Sequence, residues 1–487
     1  MSRIIIQNGN MCELDLPLKF AQKLYAEFAI RHPNAFYLRT RQRGMQNWDG
    51  KIHYINKHGE FKIGLLPAVY EKCTEYGIKP KVVDMRQPLP KVSKVVTKIG
   101  EYKLRPEQEK AVKAVINNKV GKVPFQIGIL DYTVNAGKTL IMSSLYLSYK
   151  KQLKTLLITN DSDWLNQARD EFKKYLPGEQ ITFVQGKVLN WSNFTIGMVQ
   201  SISRNMRFYQ NELAKVDMVL VDEADQAGSK QYQNVLTRLF NTRVRIGLSG
   251  TIYMSKLAKD KVKNMNLEVF FGKVLAEFKL KDSIKKGYST RTIVKMVPSK
   301  PWYGNWESEE VSYKEVYDDS ITFNKYARKM VYDRLKWNIK QGRYPALVVC
   351  KFIAHCEKLC KYFKKKLGSK YNIACVHVDT PSKIRQQIMK DFREGKIDIL
   401  VSTTIIARGK NFPKLRYLLN AASMLSNEKT IQFLGRLVRT DSSKKKAYVD
   451  DLMYPGNYLS RHARARKRYY QVEKLKVILV KRPKHKL

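Results

Sequence analysis

The chain of 487 residues carries 91 lysines and arginines against 43 acidic residues, which gives a formal net charge of +48. Its hydrophobic content of 44% excludes wholesale disorder, and its length is typical of about three domains. So positive a surface favours a polyanionic partner, and we expect nucleic acid because neutralised phosphates release condensed counterions. A membrane is not expected, since no apolar run reaches the ~18 residues of a spanning helix and no signal peptide is evident.

Cysteine usage predicts a reducing, cytoplasmic environment, in the host cell if the chain is encoded by a phage. Six cysteines are few for this length, and nothing in the sequence suggests secretion. No CxxC pair is present, so buried free thiols are favoured over a zinc site. The cysteines are Cys12, Cys73, Cys350, Cys356, Cys360 and Cys375.

The first segment of the chain, residues 1–97, differs from the rest. It has strand-like runs (RIII, KIHYI) and helical stretches near 18–31 and 67–76. Pro88 and Pro90 indicate a linker at its end. We predict a small α+β domain here, with a role in DNA binding.

The remaining chain repeats one rhythm twice, over 98–285 and 286–455. Apolar strand-like runs alternate with helical stretches, and runs buried on both faces are typical of parallel strands. We therefore predict an α/β fold of two tandem parallel-sheet lobes, followed by a basic helical extension over 456–487. The strand-like runs are FQIGIL, TLLIT, FTIGMV, MVLVD and RIGLSG, then ALVVC, IACVHV, DILVS and RYLLNAA. An irregular stretch, PSKPWYGNWESEE, lies between the two sets.

A phosphate-binding loop is predicted between FQIGIL and the helical run LIMSSLYLSYK. Gly137 permits a tight turn that directs backbone N–H groups to phosphate oxygens, and the helix N-terminus adds its positive dipole end. We expect Lys138 to reach the β- and γ-phosphates of ATP and Thr139 to bind Mg²⁺. Tyr132 stands where the usual pattern has glycine. The predicted nucleotide-binding residues of the loop are Asn135, Ala136, Gly137, Lys138 and Thr139.

Paired acids follow the apolar run MVL in the string VDEAD. Asp222 is expected at the C-terminal end of a strand, where ligands bind in open α/β sheets. It would hold Mg²⁺, while Glu223 would orient and deprotonate the attacking water. The alternative, a solvated acidic turn, is disfavoured because a phosphate loop lies upstream.

Two arginines in QFLGRLVR are predicted to act on ATP from the second lobe. Arg436 and Arg439 are three residues apart and share one helix face. Their planar, permanently charged guanidinium groups suit phosphate. Closure of the lobes around one nucleotide would then complete the site and couple hydrolysis to motion. A basic surface helix is the alternative.

Five strings, in their order along the chain, resemble the motifs of the superfamily 2 helicases. The resemblance implies two RecA-like lobes, ATP and Mg²⁺ as cofactors, and an ATP-dependent helicase activity. It also implies that Arg105 and Gln108 contact the nucleotide, with Gln108 reading adenine, and that Ser249 and Thr251 link hydrolysis to strand movement. The strings are RPEQ (105–108), NAGKT (135–139), VDEAD (221–225), LSGT (248–251) and QFLGRLVR (432–439).

Three further segments carry the same resemblance. Gly409 lies in the ARG of motif V and is implied to contact nucleotide, with Asn411 in place of the usual aspartate. Gln200 and Ser201 occupy the motif Ib position and are implied to contact DNA. In LLITNDSDWLNQ, Asn160 and Asp161 stand where the family has proline and threonine.

Residues 43–73, with the string NWDG, resemble the N-terminal domain of the bacteriophage branch-migration helicases in this superfamily. The likeness implies an enzyme that unwinds and branch-migrates forks, Holliday-type junctions and R-loops in phage replication, recombination and repair. The expected partner is branched DNA with single-stranded segments. The expected state is a monomer, with other phage or host replication and recombination proteins as further partners.

Two basic regions are candidate DNA contacts. Trp48 of NWDG is either a core anchor or a base-stacking platform. The tail RHARARKRYYQVEKLK suits backbone binding, with a plain solvated helix as the alternative. The candidate residues are Arg39, Arg41, Arg43, Trp48 and Lys51 in the first region, and Arg464, Arg466 and Arg468 in the tail.

Three alternative functions stay open at this point. The VDEAD string also fits an RNA helicase, because the acids serve ATP and do not distinguish polynucleotide sugars. A motor subunit of a restriction-type complex would require a nuclease module, which no segment resembles. A catalytically inactive basic scaffold would be consistent with Tyr132 and Asn411.

Overall fold

The structure is a computed structural model. It describes residues 2–41, 45–188, 191–250, 258–299, 311–407, 412–424, 434, 435, 437, 444 and 446–480. The chain forms two compact units, Met1–Phe278 and Lys279–Leu487. The four-part division expected from the sequence stays a prediction.

The first unit begins with small sheets and short helices and continues as an α/β lobe. Its helices are α1 (Leu18–Glu27), α2 (Ala35–Arg41), α3 (Leu66–Glu75), α4 (Pro106–Ile116), α5 (Lys138–Ser148), α6 (Ser162–Tyr175), α7 (Val199–Arg204), α8 (Met206–Ala214), α9 (Lys230–Leu236) and α10 (Ala258–Phe271). Its strands are β1 (Arg3–Ile6), β2 (Met11–Asp15), β3 (Ala29–Arg31), β4 (Lys51–His53), β5 (Glu60–Lys62), β6 (Lys81–Asp84), β7 (Lys98–Ile99), β8 (Tyr102–Lys103), β9 (Lys119–Val120), β10 (Val123–Pro124), β11 (Ile127–Tyr132), β12 (Thr155–Thr159), β13 (Ile181–Val184), β14 (Phe194–Met198), β15 (Met218–Asp222), β16 (Val244–Ser249) and β17 (Val274–Phe278).

The second unit is an α/β lobe to which the basic C-terminal segment adds a helix and a strand. Its helices are α11 (Leu280–Lys285), α12 (Tyr313–Tyr317), α13 (Lys325–Lys340), α14 (Ile353–Leu367), α15 (Ser382–Glu394) and α16 (Asn457–Val472). Its strands are β18 (Arg291–Pro298), β19 (Ala346–Val349), β20 (Ile373–Val376), β21 (Ile399–Ser402), β22 (Tyr417–Asn420), β23 (Lys446–Met453) and β24 (Lys476–Leu479). The irregular stretch expected before α12 lies mostly outside the described residues.

Each unit contains, within the described residues, a sheet of seven parallel strands, and both sheets have the same topology. The first sheet has the order β13-β14-β12-β15-β16-β11-β17. The second has the order β20-β21-β19-β22-β23-β18-β24, which repeats the first with each number raised by seven. The predicted fold of two tandem RecA-like lobes is confirmed.

Burial explains why the apolar runs became parallel strands. Every residue of β11, β12, β15 and β16 is buried, as expected for strands covered by helices on both faces. All nine strand-like runs expected from the sequence coincide with strands. The arrangement brings the C-terminal ends of β11, β12, β15 and β16 to one edge of the first sheet.

The N-terminal segment is packed into the first lobe and shares its hydrophobic core. A four-stranded sheet of order β5-β2-β1-β6 carries Ile4 and Ile6, which belong to the same cluster as Phe271 of α10. A Cβ on Gly64 would lie 2.2 Å from the carbonyl oxygen of Glu268, so only glycine allows this approach. The side chains of the N-terminal segment thus share one hydrophobic core with those of the lobe.

A buried arginine joins the same two parts. Arg245, in the central strand β16, is fully buried. Its Nη2 donates hydrogen bonds of 2.8 Å to the carbonyl oxygen of Gly9 and 2.7 Å to Oδ1 of Asn10. The guanidinium group of the lobe is thus stabilised by acceptors of the N-terminal segment.

Four cysteines meet in the second unit as free thiols. Cys356 and Cys360 lie on the buried face of α14, as the helical spacing predicted. Cys356 Sγ lies 3.3 Å from Cys375 Sγ in β20. The hydrogen bond with Cys356, together with desolvation, raises the pKa of Cys375 to about 12, so the Cys375 thiol is protonated at neutral pH.

Among the described helices, none is both long and apolar enough to cross a bilayer.

Candidate ATP site and nucleic-acid surfaces

The predicted phosphate loop connects β11 to α5 in the first unit. Lys138 is the first residue of α5, and Gly137 precedes it with φ 73°. Asn135 also has a positive φ of 65°, so two left-handed residues shape the turn. Successive backbone N–H groups in such a turn form a concave site for anions.

Tyr132 does not occupy the loop. It is the last residue of β11, fully buried, and its hydroxyl donates a hydrogen bond of 2.7 Å to the carbonyl oxygen of Glu107. Burial raises its pKa far above the ordinary tyrosine range, so the hydroxyl stays neutral. The tyrosine that replaces the usual glycine therefore adds a hydrogen bond between β11 and α4.

The side chain of Gln108 forms hydrogen bonds that connect α4 with the phosphate loop. Its Oε1 accepts a 2.8 Å hydrogen bond from the backbone N–H of Arg105, which closes the capping box at the start of α4. Its Nε2 donates a 2.8 Å bond to the carbonyl oxygen of Ala136. A Cβ on Gly137 would lie 2.3 Å from the same nitrogen. Gln108 thus positions the phosphate loop, and its contact with adenine stays a prediction.

The acids lie at the adjacent strand end, as predicted. Asp222 is the last residue of β15, and its Oδ1 lies 3.9 Å from Nζ of Lys138. This Oδ1 is buried and has no hydrogen-bond partner among the described residues. An open carboxylate oxygen beside the phosphate loop suits Mg²⁺, which prefers oxygen ligands.

Burial raises the pKa values of both acids. Desolvation raises the pKa of Asp222, and Lys138 partly opposes the shift. Desolvation, followed by repulsion from Asp222 and Asp225, raises the pKa of Glu223 to about 8. Glu223 also has a left-handed backbone, with φ 52° and ψ 48°. A carboxylate with a raised pKa can accept a proton near neutral pH, which is the property of a general base.

Glu171 was missed by the sequence analysis. The hydroxyl of Thr139 donates a 2.8 Å hydrogen bond to Oε2 of this residue on α6, and Oε1 accepts one of 2.5 Å from Gln167. A hydroxyl that donates one bond retains lone pairs, so Thr139 can still bind a cation. The carboxylate of Glu171 fixes which way those lone pairs face. No motif identifies this residue, because it is 32 positions from Thr139.

The predicted coupling residue Ser249 contacts the acid string. Its hydroxyl, at the end of β16, donates a 2.7 Å hydrogen bond to Oδ1 of Asp225, and both groups are buried. The neighbouring Gly250 packs against the phosphate loop, where a Cβ would lie 2.9 Å from Cα of Thr133. Thr251, which was predicted together with Ser249 as a coupling residue, lies outside the described residues.

A path of side-chain hydrogen bonds leads away from Glu223. Gln226 places its Nε2 3.5 Å from Oε2 of Glu223, and its Oε1 accepts a hydrogen bond from Asn160. The backbone carbonyl of Asn160 accepts a 3.3 Å bond from Nε2 of Gln200. Gln200 and Ser201 are both partly exposed on α7. The path therefore connects Glu223 with Gln200, one of the two residues that the resemblance implies to contact DNA.

The N-terminal candidates fall into two groups. Arg39, Arg41 and Lys51 are exposed on α2 and β4, as a phosphate contact requires. Trp48 is partly buried, packs edge-on against His32 and donates a 2.9 Å hydrogen bond to the carbonyl oxygen of Lys51. These contacts favour the anchor interpretation of Trp48 over the stacking platform.

One of the three arginines predicted as DNA contacts in the tail is buried. Arg466 is not a surface contact: it is fully buried and forms an ion pair with Asp451, with Nη2 2.8 Å from Oδ1. It also donates a 2.6 Å bond to the carbonyl oxygen of Met424. Arg464 and Arg468 are exposed on α16, so they remain candidates.

Five predicted residues lie outside the described part of the chain: Arg43, Gly409, Thr251, Arg436 and Arg439. Near the last two, Leu434 and Leu437 are helical and fully buried. These two leucines are therefore buried, as predicted for them.

Two family models match the chain in succession. Residues 101–254 match the family described as type III restriction enzyme, res subunit, and residues 328–441 match the helicase conserved C-terminal domain. Together they cover more than half of the chain, with one model on each lobe.

Similarity to individual proteins agrees with these matches. The chain is 22% identical over 454 residues to the ATP-dependent DNA helicase UvsW of Enterobacteria phage T4, which covers 88% of this chain and 86% of UvsW. The fold is similar to that of Mss116p bound to single-stranded RNA and AMP-PNP, with a TM-score of 0.54, 15% identity and 82% of each chain covered. It is also similar to the restriction-modification enzyme LlaBIII bound to DNA, with a TM-score of 0.56, 13% identity, and coverage of 84% of this chain and 34% of that one.

Matches to both helicase lobes, in sequence order, accompany a phosphate loop that faces paired acids and a likeness to a phage helicase over 88% of the chain. The chain belongs to the superfamily 2 helicases and is an ATP-dependent, nucleic-acid-binding enzyme that resembles UvsW.

Proposed function

We propose that this helicase acts on branched DNA and couples ATP hydrolysis to unwinding and branch migration of forks, Holliday-type junctions and R-loops. The observation that carries the proposal is the hydrogen-bonded path from Glu223 through Gln226 and Asn160 to Gln200. It gives a route by which a nucleic-acid contact alters the hydrolytic site. The similarity to UvsW, named as a DNA helicase, favours DNA as the polynucleotide. Roles in phage replication, recombination and repair follow from the same likeness.

Hydrolysis is proposed to use residues with separate roles at the C-terminal ends of the strands. Lys138 binds the β- and γ-phosphates, and Glu223 orients the attacking water and accepts its proton. Thr139 and Asp222 would hold Mg²⁺, which offsets the negative charge of the phosphate oxygens. Arg436 and Arg439 are proposed to supply guanidinium contacts to the γ-phosphate, as arginine fingers do.

Coupling to motion is proposed to use two connections inside the first unit. The hydrogen bond from Ser249 links the end of β16 to Asp225, which lies two residues after Glu223. The side-chain amide of Gln226 accepts a hydrogen bond from Asn160 and donates one to Glu223. A shift of DNA at Gln200 would then alter the orientation of Glu223, which makes the rate of hydrolysis depend on the bound strand.

The grip on DNA is proposed to be mainly electrostatic. The candidate residues Arg39, Lys51, Arg464 and Arg468 are exposed cations, and the whole chain carries +48. Phosphate contacts position a protein without reading sequence, so we expect little sequence preference. We also propose that the active form is a monomer. The affinity for DNA should fall about 10³- to 10⁵-fold between about 50 and about 200 mM salt if six to ten phosphates are contacted.

The proposal is tested with the full chain and a matched set of substrates. ATP hydrolysis and strand displacement are measured on a fork, a four-way junction, an R-loop and a linear duplex of the same base composition. Preferential displacement on branched substrates is the expected result. Equal activity on linear duplex would overturn the branched-substrate assignment.

A second arm tests the choice of polynucleotide. ATP hydrolysis is measured with DNA and RNA strands of equal sequence, because VDEAD and the likeness to Mss116p also fit an RNA helicase. Stronger stimulation by RNA would replace the proposal by that alternative. Absence of stimulation by either polymer would favour a basic scaffold.

A further inference from the structure

A cavity of about 580 Å³ opens on the N-terminal part of the first unit, away from the phosphate loop. It lies between β3, α2 and the turn before β4. Gly50, with φ 77°, forms its floor, where a Cβ would lie 3.2 Å from Cβ of Ala35. Its rim carries Arg31, Phe36, Arg39, Gln46, Asp49 and Lys51.

The rim has an excess of positive charge. Arg31, Arg39 and Lys51 are exposed, and none of them forms an ion pair with a described residue. The single acid, Asp49, is already engaged: its Oδ2 lies 2.7 Å from Nε2 of His53, and its Oδ1 accepts a 2.9 Å hydrogen bond from the backbone of Lys51. The described lining of the cavity therefore contains three cations and one acid, which makes an anion the complementary ligand.

An aromatic face is available beside these cations. Phe36 is 80% exposed and lines the cavity, although a ring of this size is usually buried. Trp48, for which the sequence left a core anchor and a stacking platform open, packs against His32 and donates a hydrogen bond to the carbonyl oxygen of Lys51. The ring able to stack on a ligand is therefore Phe36.

We propose that this cavity binds an unpaired nucleotide of the DNA, with its base stacked on Phe36 and its phosphates held by Arg31, Arg39 and Lys51. The volume lies in the range of small-ligand pockets and suits one or two nucleotides. A base inside duplex has both faces stacked, so only a single-stranded or flipped base can use the ring. The inference rests on the proposed action on branched DNA and adds that the branch is recognised by its unpaired nucleotides.

The test compares variants of the full chain on two DNA molecules, a fork with one single-stranded arm and a blunt duplex of equal length, each labelled for fluorescence anisotropy. Phe36→Ala should weaken binding of the fork about 5- to 100-fold, the range for loss of one stacked base. Binding of the blunt duplex should change less than twofold. Phe36→Trp should bind the fork as tightly as the unmodified chain, because it restores the aromatic face.

Tyr37→Ala is the matched control. Tyr37 is the next residue on the same helix and is 55% exposed, but it does not line the cavity. It should bind the fork as the unmodified chain does. Photocrosslinking of a 5-iodouracil placed in the single-stranded arm should map to α2 in the unmodified chain and be lost in Phe36→Ala.

The outcomes separate this inference from the proposed function. If DNA stimulates ATP hydrolysis and Phe36→Ala binds the fork normally, the cavity is not a nucleotide site while the proposed function stands. Equal weakening on fork and blunt duplex would also overturn it, because the contact would then be to duplex backbone. If DNA does not stimulate hydrolysis by the unmodified chain, the proposed function itself fails, whereas crosslinking at α2 still reports on the cavity.

Discussion

The hydroxyl of Thr139 donates a 2.8 Å hydrogen bond to Oε2 of Glu171. This bond directs the lone pairs of a predicted magnesium ligand. We expect Glu171→Ala to raise the Mg²⁺ concentration for half-maximal ATP hydrolysis several-fold, with a smaller change in the rate at saturating Mg²⁺. Outer ligand contacts of this kind typically change metal affinity about 10- to 100-fold.

Glu171→Gln separates the hydrogen bond from the charge, since the amide oxygen still accepts from Thr139. We expect it to lie close to the unmodified chain in a titration of hydrolysis against Mg²⁺. If Glu171→Ala and Glu171→Gln are equally impaired, the charge matters and the orientation argument is wrong.

Lys138→Ala should lower the rate of ATP hydrolysis by about 10²-fold or more, because the cation that meets the developing phosphate charge is removed. DNA affinity in the absence of nucleotide should stay within about twofold, since Lys138 lies at the phosphate loop and not among the candidate DNA residues. Steady-state hydrolysis and anisotropy measure the two effects. Retained hydrolysis would rule out this ATP site.

The raised pKa of Glu223 predicts a pH dependence. Only the ionised carboxylate accepts a proton, and with a pKa of about 8 only about a tenth of the groups is ionised at pH 7. We expect kcat/KM for ATP hydrolysis to rise with increasing pH and to level off above about pH 8. Glu223→Gln should remove this limb together with most of the activity. A profile that is flat over this range would contradict the role of general base.

Gln226→Ala should uncouple hydrolysis from DNA. The variant loses the shared contact with Glu223 and Asn160, so we expect DNA to stimulate its ATP hydrolysis about tenfold less than it stimulates the unmodified chain. Gln233→Ala is a control, because the side chain of this glutamine on α9 donates its 2.9 Å hydrogen bond to the backbone carbonyl oxygen of Gly228. Equal stimulation of Gln226→Ala and the unmodified chain would show that the path does not carry the signal.

The buried ion pair of Arg466 predicts a stability effect without a direct DNA effect. Arg466→Ala leaves the carboxylate of Asp451 buried and unpaired, which typically costs about 3–5 kcal/mol. The thermal midpoint should fall clearly. Arg464→Ala, two residues earlier and exposed, should change stability by no more than about 0.5 kcal/mol. A reversed order of the two melting temperatures would contradict the buried assignment.

The strands of the two sheets could be predicted from the sequence, but their order could not. Nine apolar runs identified strands because both faces of each strand are covered. The strings at the ends of β11 and β15 predict that Lys138 and Asp222 lie at one edge of the sheet. The identical order of the two sheets could not be derived, since apolar runs carry no information on which strands are neighbours.

Other residues escaped because their neighbours are distant in sequence. Gln226 and Glu171 lie in no motif that specifies their partners. Arg466 could have been distinguished from Arg464 and Arg468: at 100° per residue the latter two share one helix face, whereas Arg466 points about 200° away from each. The alternation of arginines therefore contained the signal, but composition alone led to a uniform basic surface.

Arg245 has a consequence for how the N-terminal segment can be studied. Deleting residues before 98 would strip its guanidinium of the acceptors on Gly9 and Asn10 and uncover apolar side chains around Phe271. A shortened protein of this kind would aggregate or unfold, and its inactivity would be mistaken for a lost DNA contact. Point substitutions at the exposed residues of the cavity are therefore more informative than deletions. Because the N-terminal segment and the lobe share one core, DNA bound at the cavity would move together with the phosphate loop.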